Sequence, residues 1–355
     1  MMRKWILVVI ISLMLTACSP KKSENQTLLI KSFSSEEYAV IIPYELSDAR
    51  SWHGKYSSKL DNMVIPKGLK DYAKKYFPVN EYYLSEGILT YDDVLMLQKR
   101  ESDENPYALN PKSGPFEISD VLTLDSPYIV SDIVDLAFIK DDQSLKLEGL
   151  AVAVILNSHI EQGSEQEDYI LSDELLYEFG TFIGRRLEQY LRTLPHVGAH
   201  LPIYISLYVA EGQSSYVSGR FIGEGFFENR KGQFKKINEK WVIFPSDEAL
   251  KTDGLIHSNI SSMKHAINQF LPENVSFVAK GKYLNHECVY LKIDVDAQAK
   301  GYTEIYALAQ YVKQLAKVFE NSNLDLVINI KSNGEIAFTI KKKINSNKLE
   351  MLDIS

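Results

Sequence analysis

Residues 149–156 have the sequence Gly-Leu-Ala-Val-Ala-Val-Ile-Leu, an apolar run with β-branched residues that predicts a strand. A helix is predicted next, over about Asp173 to Arg192, because apolar residues recur there mostly at spacings of three and four. Ser172 is its expected N-cap. Two further strands, Pro202–Ala210 and Ser215–Ile222, complete a unit of strand, helix and β-hairpin.

The same order of elements recurs in the second half of the chain. A strand with alternating polarity is predicted at Cys288–Val295, and a helix from Thr303 or Glu304 to Phe319. The strands Leu324–Lys331 and Glu335–Lys341 flank Ser332-Asn333-Gly334, which is a strong hairpin signal.

This order predicts an α+β fold with two repeats of strand, helix and β-hairpin, in which antiparallel sheets are each covered by a helix. Coincidence is the alternative explanation for the repeat, since strand–helix–strand–strand is a common order. The expected segments are a signal peptide at 1–17, a tether at 18–26, an N-terminal region with the first repeat at 27–228, and the second repeat at 229–343.

The overall charge argues against nucleic acid as a partner. The chain has 355 residues, with 39 Lys and Arg against 47 Asp and Glu, and an acidic protein repels a phosphate backbone. Its hydrophobic content of 45% is enough for a large core. The two cysteines are Cys18 and Cys288, so no internal disulfide is expected in a chain whose Cys18 is modified.

The N-terminus has the pattern of a lipoprotein signal peptide. Arg3 and Lys4 precede a mostly apolar run of 13 residues, Trp5–Ala17, which is too short for a membrane span of roughly 20 residues. The run ends at Leu15-Thr16-Ala17-Cys18, a bacterial lipobox. The alternative is an ordinary secretory signal in which Cys18 occurs by chance.

In such a signal, the cysteine is lipidated on its sulfur and becomes the new N-terminus. We therefore expect lipoprotein diacylglyceryl transferase and signal peptidase II to act during maturation, with Leu15, Thr16 and Ala17 as the recognition residues before Cys18. The mature chain would be held by acyl chains such as palmitate on the extracytoplasmic face of the cell membrane. Removal of residues 1–17 takes away two basic residues and no acidic residue. The mature chain then has 37 Lys and Arg against 47 Asp and Glu, a net charge of −10.

No catalytic or cofactor motif is present. The sequence contains no Gly-rich phosphate loop, HExxH, CxxC or GxSxG, so we expect no cofactor, no metal and no enzyme activity. His196 and His200 have a spacing seen in metal sites, but the surrounding Pro and Gly residues favour a solvated loop. His286 and Cys288 are expected to share one face of a strand, with Glu287 on the other.

Two further hypotheses concern the mature domain. In the first, a cleft between the repeats binds a peptide, a glycan or an envelope protein, and a deep cleft lined by Tyr with few charges would support it. Tyr76, Tyr82, Tyr83 and Tyr91 are candidates for such a groove, although a half-buried core edge is favoured for them. In the second, a hydrolase site is assembled from distant residues, with a His close to Cys288 or to a buried Ser.

Several segments resemble the CamS family of sex pheromone lipoproteins of Firmicutes, which are Gram-positive bacteria. Aromatic pairs and a Glu-Gly occur at 76–77 and 82–89, an Asn-Pro…Leu-Asn-Pro segment at 105–111, and a Phe-Pro-Ser…Glu-Ala segment within 241–249. The order of these segments along one lipoprotein carries the resemblance, which covers nearly all of the mature chain.

The resemblance implies that the signal peptide itself can be a product. In such lipoproteins, the peptide released by signal peptidase II is trimmed to a short apolar fragment that leaves the cell. The matching segment here is Ile11-Ser12-Leu13-Met14-Leu15-Thr16-Ala17. We expect it to act as a mating pheromone bound by a peptide receptor of neighbouring cells; the alternative is a lipoprotein that binds an envelope ligand or protein and has an inert signal peptide.

Overall fold

The computed structural model describes residues 28–354 except 33, 43, 45, 50–60, 141–144, 162–167, 212–214 and 273–274. Within them, the helices are α1 Asp61–Ala73, α2 Tyr91–Gln98, α3 Asp173–Leu191, α4 Asp247–Thr252, α5 Gly254–Phe270 and α6 Tyr302–Leu315, followed by a 3-10 turn at Ala316–Phe319. None of the helices in these ranges is long and apolar enough to cross a membrane.

The strands of the first half belong mostly to one large sheet. In chain order they are β1 Leu28–Ile30, β2 Ala39–Ile42, β3 Tyr83–Glu86, β4 Pro115–Ser119, β5 Leu122–Asp125, β6 Val130–Ile139, β7 Leu147–Asn157, β8 His159–Ile160, β9 Tyr169–Ile170, β10 Ile203–Ala210, β11 Arg220–Glu228 and β12 Lys231–Lys236. The large sheet has the order β1-β2-β3-β6-β7-β10-β11-β12, while β4 with β5 and β8 with β9 form two small ribbons.

The strands of the second half form a separate sheet of six strands. They are β13 Glu239–Phe244, β14 Ser276–Leu284, β15 Glu287–Asp296, β16 Asp325–Ser332, β17 Glu335–Lys342 and β18 Glu350–Asp353, and they lie in chain order across the sheet. The chain therefore passes from one sheet to the other between Lys236 and Glu239, whereas the sequence predicts the boundary at 228/229.

The α+β class is confirmed, but the sheets are not purely antiparallel. In each sheet, the strands on either side of a helix run parallel: β7 with β10 around α3, and β15 with β16 around α6. The helix carries the chain back to the edge where the first strand began, so the next strand must run in the same direction. The ladder between β2 and β3 is also parallel, and the other ladders are antiparallel.

Strand β7 explains the continuous apolar run of the sequence. Leu150, Val152 and Val154 lie in the core cluster formed with α3. Ala151 and Ala153 face the opposite way, into a second cluster formed with α1. Because successive side chains of a strand point to opposite faces, a strand covered on both faces must be apolar at every position.

Local signals place α3 and the second hairpin as expected. The Ser172 hydroxyl accepts a hydrogen bond from the Leu175 N–H, which confirms the N-cap, and α3 ends at Leu191, one residue before the predicted end. Asn333 and Gly334 have φ angles of 53° and 82°, the left-handed conformation that a type I′ turn requires at both central positions. The hairpin between β16 and β17 is therefore confirmed.

Two elements differ from the prediction. Strand β11 begins at Arg220 and not at Ser215, since the Gly219 N–H donates to the Asp61 carboxylate and so does not pair with a neighbouring strand. Strand β18 lies beyond the predicted end of the second repeat at 343, and it extends the second sheet by pairing with β17.

Both sheets contain the same series of ladders. From β3 to β12, and again from β13 to β18, the order is antiparallel, antiparallel, parallel, antiparallel, antiparallel. This shared order is what a repeat requires, and the duplication itself stays a prediction.

Lys342 joins the end of β17 to two loops. It is 2% exposed, and its ammonium donates to the carbonyls of Ser322 at 2.7 Å and Leu324 at 2.9 Å, with longer contacts to the carbonyls of Lys343 and Ser346. Burial lowers the pKa of this lysine.

We predict that Lys342→Met lowers the free energy of unfolding by about 1–3 kcal/mol, because buried carbonyls lose their donor. Urea denaturation measures the effect. Lys341→Met is the matched control, since Lys341 is adjacent and exposed, and it should leave the midpoint nearly unchanged. Equal effects of the two substitutions would contradict the role given to Lys342.

Candidate functional site: the cleft between the two sheets

The predicted processing residues do not belong to the described part of the chain. Leu15, Thr16, Ala17 and Cys18, and the segment Ile11–Ala17, all precede residue 28, where the description begins. The lipidation site and the pheromone segment therefore stay predictions.

Cys288 is a half-buried thiol packed against the core of the second sheet. Its Sγ donates to the Tyr290 carbonyl at 3.5 Å and lies beside Tyr283. Burial raises the pKa of the Cys288 thiol to about 12, so thiolate is scarce at neutral pH. His286 does not share a strand face with it, as the sequence suggested, because His286 has a φ of 69° in the β14–β15 turn and contacts Asn238.

The two histidines of the predicted loop have no metal-site geometry. His200 contacts the side chain of Asn229, while His196 lines a separate cavity beside β3. Across the described ranges, no group of three or more His, Cys, Asp or Glu residues is arranged to hold a metal ion.

The four tyrosines do not form one groove. Tyr76 stacks on Phe226 with ring centroids 4.1 Å apart, and Tyr82 packs edge-on against Phe77. Both belong to the edge of the core cluster under α1, whereas Tyr91 is the first residue of α2. The half-buried core edge is thus the correct description of Tyr76 and Tyr82.

A buried carboxylate joins the two halves of the molecule. Glu239 begins β13, is 4% exposed, and has a side chain that is inaccessible to solvent. Its Oε2 accepts a hydrogen bond from the Tyr72 hydroxyl of α1 at 2.6 Å and contacts the Lys282 ammonium of β14 at 2.9 Å. Burial, followed by the neighbouring Glu239, strongly raises the pKa of Tyr72, which keeps its hydroxyl protonated as the donor.

Lys282 is further held by aromatic rings. Its ammonium lies 5.6 Å from the ring centroid of Tyr72 and 6.0 Å from that of Trp241. A cation at this distance from a ring face is attracted by the ring quadrupole. One lysine therefore contacts a ring of the first half and a ring of the second.

Next to Glu239 lies a cavity of about 410 Å³ between the end of the first sheet and β13. Its walls are formed by Asp173, Glu211, Val217, Ser218, Arg220, Asn238, Glu239, Lys240, Trp241 and Glu248. This is the inter-sheet cleft. Six of these ten side chains are charged and none is a tyrosine, so the tyrosine-lined cleft with few charges that the sequence suggested is not found here.

The cations of the inter-sheet cleft already have counterions. The Arg220 guanidinium makes a bidentate contact with the Asp173 carboxylate, at 2.9 and 2.5 Å, and donates to the Glu211 carboxylate at 2.6 Å. Lys240 pairs with Glu248 at 2.8 Å. A pocket of this size with polar walls can bind a small polar molecule.

The sequence contains one pattern of residues that indicates this site and that motif searches do not detect. Glu239 and Trp241 are two residues apart in a strand, so their side chains lie on the same face of β13. This pair lies where the chain passes from the first sheet to the second, and it lines the inter-sheet cleft. The cleft residues of the first half come close to it only in the folded structure.

The fold and this site define a class: a two-sheet α+β protein with a polar cleft between its sheets and no recognised catalytic constellation in its described residues. A family model described as "CamS sex pheromone cAM373 precursor" matches residues 44–348. The chain therefore belongs to the CamS family, and the resemblance noted in its sequence is confirmed.

Two solved structures have the same fold. A sex pheromone precursor from Lactobacillus salivarius subsp. salivarius UCC118 aligns with a TM-score of 0.80 and 20% identity, over 93% of this chain and 99% of that one. The C-terminal domain of the sex pheromone staph-cAM373 precursor from Staphylococcus aureus aligns with a TM-score of 0.68 and 20% identity, over 83% and 97%. No curated protein matches the chain.

We predict that Cys288 resists alkylation in the folded protein. In the Cys18→Ala variant, where Cys288 is the sole thiol, iodoacetamide at about pH 8 should react on the order of 1,000-fold more slowly than with the urea-unfolded chain, because burial disfavours the thiolate. Mass spectrometry of timed samples measures the rates. Similar rates in the folded and unfolded protein would show an accessible, activated thiol and revive the hydrolase hypothesis.

We also predict that Tyr72→Phe destabilises the protein by about 1.5–3 kcal/mol, since a buried carboxylate loses a hydrogen bond. Chemical denaturation measures the loss. Tyr302→Phe is the control, because its hydroxyl bonds to Asp353 at an exposed position, and it should have little effect. A Tyr72→Phe variant as stable as the wild type would mean that Lys282 alone satisfies Glu239.

Proposed function

We propose that the chain is the precursor of a lipid-anchored, extracytoplasmic lipoprotein. The observation that carries this proposal is the N-terminal sequence, in which a basic pair and a 13-residue apolar run end at Leu15-Thr16-Ala17-Cys18. Diacylglyceryl transfer to the Cys18 sulfur and cleavage between Ala17 and Cys18 by signal peptidase II would leave the two-sheet domain outside the membrane.

The charge of the mature chain supports a lipid anchor. With a net charge of −10 after removal of residues 1–17, electrostatics does not attract the domain to an anionic leaflet. Two or more acyl chains on Cys18 are sufficient for stable attachment, while a single chain is marginal.

The second part of the proposal concerns the released peptide. Membership of the CamS family and the apolar character of Ile11–Ala17 support a role for this fragment as a mating pheromone. The segment contains no charged residue, and most of its polar atoms are in the backbone, which suits an apolar receptor pocket with a few polar contacts.

The mature domain is proposed not to be an enzyme. The high pKa of Cys288 and the position of His286 in a turn support this view for the strongest nucleophile candidate of the sequence. The role of the mature domain would then be binding or structural.

The deciding experiment is mass spectrometry of the culture medium and of the membrane-bound N-terminus, in wild type and in Cys18→Ala. We expect an acylated Cys18 and extracellular ISLMLTA in the wild type, and neither in the variant. Synthetic ISLMLTA should induce aggregation or conjugation in responder cells, whereas a scrambled peptide of the same composition should not.

Other results would change the assignment. An acylated Cys18 without any extracellular fragment would make the anchored domain the functional product, an envelope lipoprotein that binds a ligand or protein and has an inert signal peptide. A mature N-terminus without lipid would contradict the lipoprotein proposal itself.

A further inference from the structure

The second sheet has one face that α5 and α6 do not cover, and this face carries a group of lysines. The helices pack on the side of Leu291, Ile293 and Val295. Because successive side chains of a strand alternate between the two faces, the following lysines project from the other side: Lys280 of β14, Lys292 of β15, Lys331 of β16 and Lys341 of β17. All four are half-buried or exposed, and we call this surface the lysine face.

Two of these lysines stand directly opposite each other. Lys280 and Lys292 are register partners in the antiparallel ladder between β14 and β15, where like charges are destabilising. The Lys280 ammonium donates to the Tyr216 carbonyl, which does not neutralise its charge. Burial, followed by the neighbouring Lys292 and Lys331, lowers the pKa of Lys280, and Asp294 has the opposite effect. The positive charge at this place is therefore incompletely compensated.

A network of hydrogen bonds holds the lysines in place. The Asp294 carboxylate contacts Lys292 at 3.5 Å and Lys331 at 3.2 Å. It accepts a hydrogen bond from the Asn329 amide at 3.0 Å, and the Asn329 oxygen accepts one from the Thr339 hydroxyl at 3.2 Å. Asn329 and Thr339 are buried, so they fix the carboxylate and, through it, two ammonium groups. Support of this kind is what keeps binding groups in a defined position.

Asp294 is the carboxylate at the centre of the lysine face. The other carboxylates lie at its margins and have contacts of their own: Asp296 accepts from the Gln298 N–H, Asp325 accepts from the Ile344 N–H, Glu239 pairs with Lys282, and Glu350 pairs with Lys348. The centre of the face is therefore positive, although the chain as a whole is acidic. At physiological salt, charges more than about 8 Å away are largely screened, so a ligand on this face is attracted by the nearby lysines.

The positions of the lysines indicate the shape of the ligand. Lys280, Lys292, Val327 and Lys341 form one row across four neighbouring strands. With strands about 4.8 Å apart, the two ends of the row are about 14 Å apart, and a neutral residue separates the last two lysines. This spacing suits a linear chain whose negative charges alternate with neutral units. Lysine binds phosphate as a point charge and does not require one fixed orientation, which suits a flexible chain.

We propose that the lysine face binds a linear phosphodiester polymer, with phosphates along the row of Lys280, Lys292 and Lys341. A polymer of the cell envelope is the source that the extracytoplasmic location would supply, and this source alone rests on the proposed function. Binding itself is a property of the two-sheet domain and is independent of Cys18 and of residues 11–17. It can therefore be confirmed even if the lipoprotein proposal fails.

The test is fluorescence anisotropy of a labelled glycerol phosphate oligomer, titrated with the full-length chain in an uncharged detergent. We expect saturable binding at about 20 mM salt that weakens as the salt concentration rises, because bound counterions are released from the phosphates. Polyglutamate and single-stranded DNA with the same number of charges should bind more weakly. Inorganic phosphate, which reaches only one part of the row, should compete poorly.

The variants locate the binding surface. Removal of a lysine near an anionic surface should weaken binding about 5-fold, so Lys280→Gln with Lys292→Gln should weaken it about 30-fold. The double substitution to Arg keeps both charges and should bind like the wild type. Lys231→Gln with Lys235→Gln is the matched control, since it removes the same charge from exposed positions of β12, and it should have little effect. Lys341→Gln should weaken binding of the oligomer about 5-fold.

Several results would overturn the proposal. The wild-type chain would not bind the oligomer at low salt, or the control pair would weaken binding as much as the pair at Lys280 and Lys292. Loss of binding in the Arg variant would show that the charge of these two residues is not what binds. An unchanged affinity in Lys341→Gln would contradict the row. Equal or tighter binding of polyglutamate would indicate an acidic protein as the partner, and that of DNA a nucleic acid.

Discussion

The burial of β7 and β10 on both faces is the constraint on which the rest of the first half depends. A strand pair with apolar side chains above and below needs a cover on each side. Helix α3 supplies one cover, and it lies within the crossover between the two strands. The other must come from a different part of the chain, and α1 supplies it with Ile65 and Leu69. The residues before β6 are therefore part of the first unit and not an independent addition to it.

The second sheet is covered by helices on one face only, and the sequence of its strands shows the matching pattern. In β15, Leu291, Ile293 and Val295 are buried beneath helices α5 and α6, while Lys292 and Asp294 on the other face stay partly exposed. Alternation of apolar and polar residues is the pattern of a strand with one covered face. The same series of ladders is thus built from two sequence patterns, a continuous apolar run in β7 and an alternating one in β15, because one sheet is covered twice and the other once.

This difference shows which features a single sequence can predict. Helix α3, its Ser172 cap and the Asn333-Gly334 turn depend on residues within a few positions of one another, and they were placed correctly. The start of β11 was not, because it depends on a hydrogen bond between Gly219 and Asp61, which are 158 positions apart. The inter-sheet cleft could not be predicted for the same reason. Tyr72 and Glu239 are separated by 167 positions, and no local pattern relates them.

The long separation between Tyr72 and Glu239 also bears on how the two halves are coupled. Helix α1 packs on β7 and at the same time donates to the first residue of β13, so the packing of the first core helps to fix the start of the second sheet. Lys282 then holds the same carboxylate from β14, with the Trp241 ring beside it. Both bonds converge on Oε2, and Oε1 has no hydrogen-bond partner among the described residues. The connection between the halves therefore depends on one carboxylate oxygen, and loss of the Glu239 side chain would remove the contacts to α1 and to β14 together.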